Sequence, residues 1–286
     1  MRPEQHTPEQ HAPERDRPNR RTVIGPACVL VTGASSGLGA ALAMHYAAPD
    51  RTLILWGRDT ARLDAVGTRC RAAGAVVRLR TLDLCDVAAA LNAVRADDAQ
   101  HPVALAILAA GLGDMRAPDA ATERPELVLE LALVNFAAPT VLATALGERM
   151  AGRGRGQIAL LGSVAAFHDL PYAAAYAGSK AGLSRFATSL RLGLQDRGVG
   201  VTLLSPGFVD TPMSRRLRAP KPFLLQPDTA AARIATAIAR NRAHLVLPWQ
   251  FAAIGWAAAL LPPPLRRAAM RRTRAEQAPR PVTSVR

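Results

Sequence analysis

Tyr176 and Lys180 stand four residues apart in a chain that has only three Tyr and two Lys among 286 residues, against 34 Arg. On a helix that spacing puts both side chains on one face. An ammonium beside a phenol favours the phenolate and lowers its pKa towards neutrality, which fits proton transfer to or from a reacting oxygen. Lys180 also resists the arginine bias of the chain, as expected where a compact ammonium is needed rather than a fork. Ser163 lies thirteen residues before Tyr176, just after an apolar run in Leu161-Gly162-Ser163. A hydroxyl at the carboxyl end of a strand points into the crevice where ligands bind. The bland alternatives are an exposed helix pair and a turn serine.

Elements that could position these groups alternate along the chain. Apolar strand-like runs are Cys28–Thr32, Thr52–Trp56, Val76–Leu82, Leu105–Ala109, Gln157–Leu161, Val199–Leu204 and His244–Leu247. Helical stretches fall at Gly39–Ala48, Asp59–Ala73, Val87–Asp97, Pro125–Arg149, Tyr172–Asp196 and Ala230–Arg240. Near-continuous apolar strands separated by helices predict an α/β fold with a doubly wound parallel sheet of Rossmann type.

The first strand runs straight into Thr32-Gly33-Ala34-Ser35-Ser36-Gly37-Leu38-Gly39 and then a helix. Such a turn lets the backbone approach a pyrophosphate, with the free N–H groups and positive end of the helix behind it. The spacing GxxxGxG between a first strand and a first helix predicts a dinucleotide site. At the end of the second strand, Gly57 occupies the place where NAD-selective sites carry an acid, and Arg58 follows. A guanidinium there can pair with a 2′-phosphate, so NADP is expected over NAD. Asp83, after the third strand, is either an acceptor for an adenine amino group or an N-terminal turn residue.

Together TGASSGLG, Ser163, YAGSK at Tyr176–Lys180 and SPGFVDT at Ser205–Thr211 resemble the short-chain dehydrogenase/reductase family, classical type, over Val23 to Leu247. The resemblance implies that Tyr176 is the general acid/base and that Ser163 polarises a substrate carbonyl. It implies that Lys180 lowers the tyrosine pKa and holds the nicotinamide ribose. Asn135, in Leu133-Val134-Asn135-Phe136, matches the asparagine that completes the tetrad; by the residues alone it reads as a helix irregularity. Thr211 matches the residue that holds the carboxamide, and Pro206 and Gly207 shape its loop. The implied cofactor set is completed by Leu84, Ala110, Gly111 and Val209. One departure stands out: the Asn-Asn-Ala-Gly usual after strand four is Leu108-Ala109-Ala110-Gly111 here.

Composition limits the alternatives. Hydrophobic residues are 49% and charged residues 20% of the chain, which excludes global disorder. The net charge of +14 raises nucleic acid as a partner, but the basic tail Leu265–Arg286, with seven Arg against one acid, has no interleaved aromatic. No nucleic acid is expected. Cys28, Cys70 and Cys85 form no metal-ligand spacing with the six His, so no metal is expected and free thiols in a reducing compartment are. Residues 1–22, with PEQH repeated, predict a disordered leader without a secretory signal. The catalytic domain is then 23–248, and 249–286 is an apolar segment followed by the Arg-rich tail.

Met213–Pro227 is expected to be a lid, made basic by Arg215, Arg216, Arg218 and Lys221. His168 and Tyr172 should border the pocket. Trp249–Leu261 is too short to span a bilayer. At helical spacing Trp249, Ala253, Trp256 and Leu260 share a face, which either lies in a membrane interface with the basic tail on anionic lipid or packs on protein. The segment is loosely similar to C-terminal extensions of reductases acting on lipid-linked keto-sugars. The expectation is a cytoplasmic, homo-oligomeric NADP(H)-dependent oxidoreductase acting on a small-molecule or lipid-linked carbonyl, with peripheral contact at the inner membrane face as an option. The rivals are a non-catalytic NADP-binding redox sensor, a soluble small-molecule carbonyl reductase and a membrane-recruited scaffold.

Overall fold

The computed structural model describes residues 27–117, 119–260, 262 and 276–277. The expected leader and most of the basic tail lie outside the described residues, as do the side chains of Trp256 and Leu260. The elements run β1 (Cys28–Thr32), α1 (Gly37–Tyr46), β2 (Thr52–Gly57), α2 (Thr60–Ala72), β3 (Val76–Thr81), α3 (Val87–Gln100), β4 (Leu105–Leu108), α4 (Pro125–Ala132) and α5 (Ala138–Gly152). Then come β5 (Gly156–Leu161), α6 (Ala174–Leu194), β6 (Val199–Pro206), α7 (Pro212–Arg215), β7 (Leu217–Arg218), α8 (Pro227–Ala239), β8 (His244–Leu247), α9 (Gln250–Leu260) and β9 (Glu276–Gln277).

Seven strands form one parallel sheet in the order β3-β2-β1-β4-β5-β6-β8. Every residue of β1 and β4 is buried, because helices cover both faces. Alternate β1 residues face opposite layers: Val29 and Val31 pack with α1, α2 and α8, while Leu30 packs with α3, α5 and α6. At the sheet edge β3 carries Arg78 and Arg80 instead, as suits an edge. The strand order reverses beside β1, between β1 and β4, which opens a crevice at the carboxyl ends of the strands.

Three departures from the sequence reading bear on the fold, and a fourth, at Tyr172, bears on the site. The first helix starts at Gly37 rather than Gly39, with Ser36 extended at its N-cap. The long helix predicted over Pro125–Arg149 is two helices, α4 and α5, joined by a π-helical turn at Leu133–Ala137. Such a turn inserts one residue into the helical ladder and re-aims the side chains within it. The third departure is a small antiparallel pair between β7 and β9, whose two-residue strands carry no periodic signal.

Buried carboxylates tie α3 to the sheet. Asp97 accepts from Trp56 Nε1 at 2.9 Å and from Arg80 Nε at 3.0 Å. Asp98 accepts from the Val103 N–H at 2.9 Å, from Arg153 at 2.8 and 3.0 Å, and from Arg149.

Candidate active site

A cavity of about 1090 Å³ occupies the crevice. Its floor is the turn between β1 and α1. Gly33 has φ +70°, and a Cβ there would lie 2.7 Å from Ala110 Cα. Gly37 has φ +55°, also in the left-handed region that favours glycine. A Cβ on Gly39 would strike the Gly33 carbonyl, so the third glycine lets helix and strand close together. The cavity reaches Ser35, Ser36, Gly37, Leu38 and Gly39, and the N-terminus of α1 opens onto it. That arrangement fits a pyrophosphate. Ser214, on α7, also lines the cavity, and its buried hydroxyl oxygen has no hydrogen-bond partner. An orphaned hydroxyl beside a phosphate cradle is what a bound dinucleotide would satisfy.

One end of the cavity is bounded by Arg58, Asp83 and Leu84. Gly57 packs so that a Cβ would lie 3.0 Å from Ser35 Cβ, which leaves an acid at this position crowded. Arg58 is 3.9 Å from Asp83 and 3.8 Å from Glu130. The carboxylate of Asp83 accepts from the Cys85 N–H at 2.9 Å, so Asp83 is a turn residue that also faces the cavity. Arg62 joins Arg58 on this wall, and sequence reasoning missed it. Nothing in its spacing separated it from 33 other arginines.

The other end carries the reactive groups. Ser163 follows β5 and accepts from the Ala165 N–H at 3.1 Å, which caps a short 3₁₀ turn and fixes the hydroxyl. Burial pushes the Tyr176 phenol above its ordinary value, and the hydrogen bond from Ser163 pulls it the other way. Lys180, on α6, is 3% exposed and donates to the Leu161 carbonyl at 2.7 Å. Burial lowers its pKa to about 8. Burial is the largest influence on Tyr176, and the Lys180 ammonium is turned to the end of β5. Tyr172, expected within the helix, lies before it and lines the cavity with His168.

Asn135 is fully buried inside the π-helical turn, behind the cavity wall. Its Oδ1 accepts from the Leu112 N–H at 2.8 Å, and its Nδ2 donates to the Leu112 carbonyl at 2.9 Å and to Ser179 Oγ at 3.3 Å. The Ala110 N–H donates to Thr32 Oγ1 at 3.1 Å. Thr32 and Asn135 therefore hold the loop after β4, where the resembling family carries its asparagine. A Cβ on Gly111 would lie 3.3 Å from Asn135 Oδ1 and 3.4 Å from Lys180 Nζ, so only glycine leaves that corner open.

Pro206, Gly207, Val209 and Thr211 line the cavity from the loop after β6. Thr211 caps α7 by accepting from the Ser214 N–H at 3.2 Å. Beyond it the lid is less basic than its composition. Arg215 pairs with Asp210 at 2.8 Å, and Arg216 lies 3.5 Å from Asp114. Met115, Leu170, Met213, Leu217 and Phe251 complete the walls. Phe251 was hidden in the apolar run read from sequence: among the described side chains of α9 it is Phe251 that is buried, whereas Trp249 is 71% exposed.

Comparisons with known proteins agree with this geometry. A family model described as short chain dehydrogenase matches residues 27–222. An uncharacterized oxidoreductase of Myxococcus xanthus is 36% identical over 247 residues, covering 86% of this chain and 96% of that one. A short-chain dehydrogenase of Sphingobium yanoikuyae, solved in complex with NADPH, superposes with TM-score 0.72 at 28% identity, covering 86% of this chain and 96% of that one. The bulky-bulky ketone specific alcohol dehydrogenase of Comamonas testosteroni superposes with TM-score 0.71 at 25% identity, covering 87% and 95%.

Proposed function

The chain belongs to the short-chain dehydrogenase/reductase family, an oxidoreductase family that works with a nicotinamide cofactor, and on that premise we propose that it is an NADP(H)-dependent reductase of hydrophobic carbonyl compounds. The observation that carries the reading is that Ser163, Tyr176 and Lys180 line one cavity together with the glycine turn after β1. Gly33, Ser35, Ser36, Gly37, Leu38 and Gly39 would hold the pyrophosphate. Arg58 supports NADP, since it lines the cavity at the end of β2 where a 2′-phosphate would sit, with Arg62, held to Asp59 at 2.7 Å, on the same wall. Leu84, Ala110, Gly111, Pro206, Gly207, Val209 and Thr211 complete the cofactor wall.

When bound, the nicotinamide supplies a hydride to a carbonyl carbon or takes one from an alcohol. Tyr176 gives its phenolic proton to the carbonyl oxygen, or removes the proton from an alcohol. Ser163, its oxygen already held by the Ala165 N–H, keeps its proton and donates a hydrogen bond to the developing oxyanion. Lys180 holds ribose hydroxyls and, charged, stabilises the phenolate. Asn135 holds the loop at Leu112 and, through Ser179, the turn of α6 that carries Tyr176.

The substrate wall is mostly apolar: Met115, Leu170, Met213, Leu217 and Phe251 outnumber His168 and Tyr172. That supports a hydrophobic ketone and argues against the anionic substrate that a basic lid would suit. A lipid-borne ketone, met by a cytoplasmic homo-oligomer in peripheral membrane contact, is favoured by one observation. On α9 and just before it, Trp249 and Ile254 stand 71% and 46% exposed. Among the described residues, the one helix long and apolar enough to cross a membrane is Pro125–Gly152, and half of it is buried as core.

NADPH consumption with a lipid extract and with a soluble-metabolite extract of the source cells tests this reading, with Tyr176→Phe as the blank. Turnover with lipid alone is expected. Turnover with soluble metabolites alone would keep the reductase and remove the lipid contact. Consumption equal to the blank in both extracts, despite stoichiometric NADPH binding, would favour the redox sensor.

A further inference from the structure

The ring of Phe251 joins two parts of the pocket that chemistry must hold together. It is 8% exposed and lines the cavity. On one side it lies against Gly207 so closely that a Cβ there would collide with the ring. Phe208, next in the same loop, meets it edge-on, with centroids 6.0 Å apart at 68°. On the other side Phe223, from the segment between α7 and α8, meets it at 5.7 Å and 89°. Edge-to-face pairs at these separations hold ring orientation as well as burying area. Phe251 is thus fixed between the loop after β6 and the cover of the cavity, and it is supplied by a helix outside the stretch matched by the family model.

The cover is fastened elsewhere too. Arg216 donates to the Gly113 carbonyl at 3.1 Å, and Met213 packs so that a Cβ on Gly113 would lie 2.8 Å from its sulfur. Leu217, another cavity wall, pairs in β7 with Gln277 of β9. With the cover held, the cavity that Tyr176 and Ser163 also line cannot widen freely on this side. A ring pinned on two sides is a fixed wall, unlike the flexible side chains of Met115 and Met213.

We propose that Phe251 is the specificity-determining residue for the carbonyl substrate: its ring is the stop against which the larger apolar substituent ends. This rests on the reductase reading. Shortening the side chain leaves a dry space that a bulkier substituent can fill, because apolar cavities accept apolar groups. One methylene in an apolar pocket changes discrimination by roughly 10- to 200-fold, so loss of a ring should be readily measured.

The test compares acetophenone with benzophenone as substrates of the full chain, wild type against Phe251→Leu and Phe251→Ala, under saturating NADPH. The ratio of kcat/KM for benzophenone over acetophenone should rise about tenfold or more in Phe251→Ala. Phe251→Leu should fall between, with the change carried mainly by KM. Should Phe251→Ala fail to fold, Phe251→Leu carries the comparison. An equal loss on both ketones, with the ratio unmoved, would overturn the proposal and leave the ring a packing residue. Calorimetric titration of both ketones into the NADP+ complexes separates this from a failure of the reductase reading. A shifted affinity ratio without turnover supports the wall and contradicts the reductase. An unshifted ratio, or no ketone binding in any variant, overturns the wall.

Discussion

Burying the Lys180 ammonium works against stability. Its pKa in the fold is about 8, lowered by burial. Unfolded, a lysine titrates near 10.4. Between those values the unfolded chain binds more protons than the folded one, so this group makes stability rise with pH there. Below about pH 8 the full penalty of the buried charge remains. Lys180→Met should therefore melt at a higher temperature than wild type at pH 7 while losing turnover, and the gap should narrow as pH rises towards 10. A lower melting temperature at pH 7 would contradict this. Arg58 predicts the opposite kind of effect. Arg58→Ala should weaken NADPH binding roughly tenfold, allowing for the exposure of the guanidinium, and leave NADH binding nearly unchanged. Equal losses for both cofactors would remove its 2′-phosphate role. Tyr176, Lys180 and Ser163 were legible because rare residue types fell at helical spacing and at a strand end. Ser214 and Phe251 were not: a serine in a loop and a phenylalanine in an apolar run look alike whether they line a site or not.

At the scale of elements, the strands were the most legible part. Buried parallel strands are short apolar runs whose ends are marked by glycine, proline and charge, and β8 falls at His244–Leu247 as predicted. The π-helical turn was invisible because one inserted residue barely changes the apolar pattern of α4 and α5, yet it buries Asn135. The Asp97 and Asp98 network had no sequence signal: two acids near a helix end look the same whether solvated or buried. Burial works against the Asp98 charge, but hydrogen bonds from Arg153, Arg149 and the Val103 N–H hold its carboxyl below the usual value. The folded pKa is depressed, so its contribution is whole above about pH 4 and fades as pH falls through the lower folded value. Asp98→Ala leaves arginines without their partner and should lower unfolding stability by about 3 kcal/mol at pH 7. Denaturant melts at pH 7 and pH 3 check both claims, since the difference between variant and wild type should shrink in acid. A variant as stable as wild type at pH 7 would make the network ornamental.

For the whole molecule, strand alternation foretold a doubly wound sheet, and the strand order places the cavity at the reversal beside β1. Closure by β7, β9 and α9 was beyond pattern reasoning, since pairs of two residues and a single inward ring depend on the finished fold. The charge of +14 has a consequence at this scale. If Trp249 and the basic lid meet lipid, the chain should co-sediment with anionic vesicles, weakly with neutral ones, and part of that binding should survive salt. Complete release by about 0.5 M salt would reduce the contact to screened attraction. The most direct measurement pairs NADPH titration with single-turnover ketone reduction for wild type and Tyr176→Phe. In Tyr176→Phe, NADPH affinity should be unchanged and the hydride-transfer rate lower by at least about 100-fold, because the proton donor at the carbonyl oxygen is gone. A Tyr176→Phe enzyme that reduces ketone at the wild-type rate would contradict it.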